Sequence, residues 1–91
     1  MSIEHDTEAH RFTLRVPSGT ATLSYSPAGP GVLDLFSTYV PGSDRGRGHA
    51  ALLVEAAVGY ARGQGLRIIP TCWYVAHWIQ RHPEHADLLS D

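Results

Sequence analysis

The sequence predicts an α+β fold, a mixed sheet in which an antiparallel β-meander is followed by a β-α-β crossover and a C-terminal helix. Three observations carry this prediction. Apolar and polar residues alternate through residues 10–25, the apolar period lengthens to that of a helix through 47–63, and a short apolar run at 66–69 precedes a second helical stretch. With 91 residues, 43% of them hydrophobic and 18% charged, the chain suits one small core and not two.

Residues 1–9 carry Glu4, His5, Asp6 and Glu8 without an apolar period and read as a flexible leader, leaving 10–91 as a single domain. Phe12, Leu14 and Val16 then alternate with Arg11, Thr13 and Arg15, the period of a half-buried strand. Pro17-Ser18-Gly19 makes a turn, and Ala21, Leu23 and Tyr25 return as the second arm of a hairpin. After a proline- and glycine-rich loop at 26–31, a longer strand runs from Val32 to Val40 and stops at Pro41-Gly42-Ser43-Asp44. From Arg47 to about Gly63 the period is helical. Glu55, Gly59 and Arg62 form one polar stripe, and Leu52, Leu53, Val54, Ala57, Val58 and their neighbours fill the rest, which suits a helix lying on a sheet. Gly63 and Gly65 end it, and Leu66 to Ile69 make a short strand closed by Pro70. A strand, helix and strand in this order require a parallel crossover. Val75, Trp78 and Ile79 share the face of a last helix that Pro83 terminates, with one further turn expected over Pro83–Leu89.

Composition excludes several chemistries. All seven basic residues are arginine, so neither a lysine Schiff base nor a lysine-bearing P-loop is available. The single cysteine, Cys72, cannot form an intrachain disulfide. A net charge of −2 speaks against a general nucleic-acid binder, and only salt-dependent RNA binding would revive that class. No stretch approaches the roughly 20 apolar residues of a membrane span, and the start lacks a charged and apolar signal pattern, so the cytoplasm is the expected location. His77, His82 and His85 with Cys72 do not have the spacing of a known zinc site, and no metal is expected.

The informative stretch is Asp44-Arg45-Gly46-Arg47-Gly48-His49-Ala50, where a strand gives way to a helix. A helix start leaves backbone amides unpaired and carries partial positive charge. Glycine lets an anion approach the main chain, and the two arginines add planar donors. Three readings compete. Gly46-Arg47-Gly48-His49-Ala50-Ala51 formally matches the dinucleotide fingerprint G-x-G-x-x-A, but residues 69–72 lack the acidic partner which that motif requires. A plain glycine turn with solvated arginines is the second, and a phosphate cradle the third.

The third reading is joined by a resemblance. Arg45-Gly46-Arg47-Gly48-His49-Ala50, read as R-x-x-G-x-A, resembles the acyl-CoA pyrophosphate loop of the GNAT superfamily of N-acetyltransferases. Thr38-Tyr39-Val40-Pro41, Ile68-Ile69-Pro70-Thr71-Cys72-Trp73-Tyr74-Val75 and Arg81-His82-Pro83 are similar to segments of its small stand-alone members, so the likeness covers roughly residues 12–89. It implies a minimal GNAT-like fold. The amides of Arg47 to Ala50, with Arg45, Gly46 and the Arg47 side chain, would hold the pyrophosphate of acetyl-CoA, and the main chain near Thr38, Tyr39 and Val40 would pair with the pantetheine arm. Two positions depart from the family pattern. Ser37 stands where a histidine is frequent, and His49 where an aliphatic residue is usual, either as a further phosphate donor or tucked against the sheet.

For the chemistry, Cys72 is the first candidate, because a helix start lowers a thiol pKa and the small GNAT-like group carries a cysteine at this P-[ST]-C position. It would accept the acetyl group or, failing that, orient the thioester or exchange a proton. Tyr74 and Tyr39 are candidate donors to the leaving thiolate, although packing explains both, as it explains a buried cysteine. The expected function is therefore transfer of an acetyl group from acetyl-CoA, with CoA released, to an unidentified amine: a protein terminus, a partner's lysine or a small polyamine. The competing expectation is a non-catalytic acyl-CoA-binding or interaction module, which Ser37 favours.

Overall fold

The computed structural model describes residues 2–90; Met1 and Asp91, the outer ends of the expected leader and domain, lie outside the described residues. Five strands, β1 (Ile3–Asp6), β2 (Arg11–Val16), β3 (Gly19–Pro27), β4 (Val32–Tyr39) and β5 (Arg67–Ile69), lie side by side in chain order. All neighbours are antiparallel except β4 and β5, which are parallel and joined by α1 (His49–Gln64). Helix α2 (Trp73–Gln80) follows β5, and a 3₁₀ segment at Pro83–Leu88 ends the fold. The expected α+β meander, crossover and terminal helix are all present.

The apolar alternation is what folds the sheet onto the helices. Phe12, Leu14 and Val16 on β2 and Ala21, Leu23 and Tyr25 on β3 point to one face and are buried. Across this face lies α1, with Leu53, Val54, Ala57, Val58 and Ala61 against β2 and β3, and α2 packs beside it on β4 through Val75, Trp78 and Ile79. Each such large side chain removed from water contributes roughly 1.5–3 kcal/mol before ordering costs. Glu55, Gly59 and Arg62 are the exposed stripe of α1, as the spacing predicts, but Leu52 joins them at 42% exposure. The helix begins two residues later than expected. Gly48, left-handed at φ 83°, precedes it, and Gly65, left-handed at φ 70°, ends it with Leu66 N–H donating to Ala61 at 2.8 Å.

The leader is corrected by the structure, because Ile3–Asp6 is a strand paired with β2 in the register Ile3 to Leu14 and His5 to Phe12. The other inward residue of β1 is His5. His5 stacks on Phe12 at 4.0 Å, meets Tyr60 edge-on and hydrogen-bonds the Tyr25 hydroxyl at 2.6 Å. Aromatic packing thus anchors a segment with a single aliphatic residue.

Strand β4 contains one unpaired residue. Leu35 faces Tyr25 and Ser37 faces Ser24, so Phe36 has no partner on β3, the signature of a bulge. Because side chains alternate, the extra residue inverts the pattern downstream: Thr38 now lies opposite Leu23 on the helix side, and Tyr39 opposite Thr22 on the uncovered side.

Candidate functional site

The ladder between β4 and β5 ends at Asp34 and Ile69. One more link, from the Cys72 amide to the Leu35 carbonyl at 2.9 Å, holds the strands together before they part. Beyond it β4 continues to Tyr39 while the other chain turns into α2, and a cleft of about 470 Å³ opens between them. The end of β4 supplies Thr38, Tyr39 and Val40 to its wall. The following loop and the start of α1 supply Asp44, Arg45, Gly46, Gly48, His49 and Ala50, and the start of α2 supplies Cys72, Trp73 and Tyr74. The structure thus gathers every expected site residue except Arg47, which lies outside the lining.

The loop leaves its amides free. Asp44 and Arg45 donate to Pro41 and Gly42, and Leu52 donates to Gly48. From Gly46 to Ala51 no backbone N–H finds a protein acceptor among the described residues. No side chain caps α1. Gly46 and Gly48 sit at φ 81° and 83°, and a Cβ at either would meet nothing within 4 Å, so the main chain stands bare beside open space. This is the donor arrangement an oxyanion or phosphate group completes.

Two details refine the expectation. The Arg45 side chain folds back so that Nε donates to the Val40 carbonyl at 2.9 Å. That carbonyl is therefore engaged by the protein, which leaves the main chain before it as the open edge. His49 is only 8% exposed, and its Nδ1 has no hydrogen-bond partner among the described residues although the residue lines the cleft. Of the two alternatives for this residue, the ring is the tucked one, and it keeps an uncommitted nitrogen.

Cys72 is half-buried at the N-cap of α2. Burial pushes its thiol up, but the Thr38 hydroxyl, 3.4 Å from Sγ, and the amides of Val75, Tyr74 and Thr38 outweigh it and hold the thiol below its ordinary value. Burial holds the Tyr74 phenol above its usual value, which keeps it a protonated donor. Tyr39 is 51% exposed at the mouth of the cleft, and Trp73, at 75%, stands across from it on α2.

Asp44, which no spacing in the sequence marks as buried, is 3% exposed and accepts from both the hydroxyl and the amide of Ser18, the latter at 2.9 Å. It pins the loop to the turn between β2 and β3. Those Ser18 donors, aided by the charges of Arg47 and His49, hold its carboxyl below the ordinary value. The contribution is complete above the ordinary carboxyl value and vanishes as acidification passes the lower folded one. Asp44→Ala is therefore expected to lower the melting temperature by about 5 °C at neutral pH, with variant and parent converging in acid; thermal denaturation at both pH values checks this.

A parallel pair that parts at its C-terminal ends over a helix start with free amides defines a small mixed-sheet domain with a cleft between the parted strands. The GCN5-related N-acetyl-transferase family profile matches residues 11–88, and the chain belongs to that family. The bovine protein NATD1 is 36% identical over 83 residues, spanning 89% of this chain and 74% of its own. Chicken NATD1 is 34% identical over 85 residues, spanning 91% and 77%. The solution structure of a GCN5-like protein from Staphylococcus aureus superposes with a TM-score of 0.73 at 19% identity, covering 98% of this chain and 87% of that one, and shares the fold. Acetyl transfer is the chemistry of the family, and acetyl-CoA its general donor.

Proposed function

We propose that this chain is an N-acetyltransferase that takes the acetyl group of acetyl-CoA and passes it to an amine. The observation that carries the reading is that one cleft contains both the uncommitted amides of the loop and the Cys72 thiol. A diphosphate suits the first: the glycines at 46 and 48 leave room for it and the helix field favours its charge, while Arg45 offers the remaining guanidinium N–H groups. His49 adds a donor from inside the cleft. The open edge of β4 around Tyr39 suits the amide-bearing arm of the cofactor, which would add to it as a strand does.

Cys72 accepts the acetyl group. A bond forms between Sγ and the acetyl carbon as the cofactor's thioester C–S bond breaks, and the thiol proton passes to the departing sulfur by way of the Tyr74 hydroxyl. An amine then attacks the acyl-cysteine, the new N–C bond forms as the C–Sγ bond breaks, and the proton lost by nitrogen restores the thiol. The lowered thiol pKa favours the first attack, and the Thr38 hydroxyl steadies the thiolate in both steps. Tyr39, exposed at the mouth, is placed to steady the incoming amine.

Thermal-shift titration tests the cofactor half. Saturating CoA or acetyl-CoA is expected to raise the melting temperature by several degrees, in line with about 2.7 kcal/mol at a hundred times Kd, while NAD leaves it unchanged. Stabilisation by CoA without turnover on a panel of amines would make the chain a binding module instead, and no response to CoA would defeat both readings.

A further inference from the structure

On the sheet face that no helix covers, β4 carries a carboxylate which the fold leaves unanswered. Asp34 is the last residue of β4 paired with β5, and its neighbours on either side are Ser26 and Ile69. Its Oδ1 is enclosed without a hydrogen-bond partner, and neither oxygen takes part in a hydrogen bond or ion pair among the described residues. The cation of β5, Arg67, donates from Nη1 to the carbonyls of Asp87 and Leu89 at 3.1 and 3.2 Å and makes no bond to Asp34. An enclosed carboxylate oxygen without a donor is costly, and a cation arriving from outside removes the cost.

What lies next to Asp34 narrows the class of cation. The bulge turns out Phe36, 47% exposed, and places Tyr39, 51% exposed, further along on the uncovered side. Among the large hydrophobic side chains that stand exposed, these two lie on β4, beyond Asp34 along the part of the strand that has left β5. Their rings suit the methylenes and ammonium of an aliphatic chain. Ser24 and Ser26, the β3 residues that face Ser37 and Asp34, are half-buried and uncharged, and the exposed cations of this face, Arg11 and Arg15, stand on β2, separated from β4 by β3 and not bonded to Asp34.

We propose that this strip of β4 is the recognition site for an aliphatic amine bearing a second, cationic nitrogen, with Asp34 as counter-charge and Phe36 and Tyr39 as its apolar walls. In the context of the transferase reading, on which its role as acceptor site rests, the far ammonium is held at Asp34 and the near amine is directed to the gap between β4 and β5, next to Cys72. Asp34 is a recognition residue in this arrangement and takes no part in the chemistry.

Amide chemical-shift mapping of the free chain with putrescine tests binding without requiring turnover. Shifts are expected at residues 34–39, about tenfold weaker in apparent affinity for Asp34→Asn, retained in Asp34→Glu, and absent with butanediol, which has the same length and no charge. Shifts elsewhere, shifts unchanged by Asp34→Asn, or an equal response to the diol would overturn the proposal. If Asp34→Asn does not fold, Phe36→Ser is read in its place, with the same loss expected and an unchanged response excluding the site. Failure of CoA to bind would sink the transferase reading and leave this result standing.

Discussion

Cys72→Ala is expected to slow amine acetylation about a hundredfold or more while leaving CoA affinity within about a factor of two, because alanine keeps the Cβ and removes only the sulfur. The sulfur is held by a contact to Thr38 at 3.4 Å and by amides whose combined effect exceeds that of burial, so its thiolate forms at lower pH than that of an ordinary cysteine. The rate should therefore rise with pH and level off below the usual thiol value. Thr38→Val removes one of the groups that lower the pKa and moves the rising limb to higher pH. Steady-state kinetics across pH, with intact-mass measurement after mixing with labelled acetyl-CoA, decides the matter. Label retained by Cys72→Ala would end the acyl-cysteine route, and an unimpaired rate would make transfer direct.

Gly48→Val carries the second large effect. At φ 83° a residue with a side chain costs about 1–2 kcal/mol, more when β-branched. No protein atom lies within 4 Å of the new Cβ, so the fold has room for it, but the side chain then stands in the open space that the loop amides face. Loss of two charge-assisted hydrogen bonds corresponds to a fall in CoA affinity of about a hundredfold or more. Isothermal titration with CoA checks this beside a thermal melt. A valine variant that binds CoA as the parent does would place the diphosphate elsewhere.

Much of this architecture was legible because local patterns dictated it. The alternation through Phe12, Leu14 and Val16, the stripe of Glu55, Gly59 and Arg62, and the breaks at Pro41, Gly65 and Pro83 each state a period or an end without help from the rest of the chain. The strand at Ile3–Asp6 escaped because its second inward residue is His5, whose burial depends on Phe12, Tyr25 and Tyr60 closing around it. The same reason hid the links that shape the site. Thr38 meets Cys72 from 34 positions away, and Ser18 meets Asp44 from 26, separations at which no spacing rule operates. Asp34 was invisible for the opposite reason: an acidic residue in a strand is unremarkable until its surroundings are seen to lack a donor. The backbone loop, by contrast, was readable as Arg45-Gly46-Arg47-Gly48 because a bare main chain is written directly in glycine.

The supernumerary Phe36 has a consequence for how this strand tolerates change. From Ser37 onward, the side on which each residue emerges is set by a count, not by its own character. Removing a single position there would exchange the inventories of the two surfaces at once, carrying the threonine hydroxyl away from the sulfur and swinging a phenol in among the helices. Length in this segment is thus as tightly constrained as chemistry, and a one-residue deletion should do more harm than most substitutions within it.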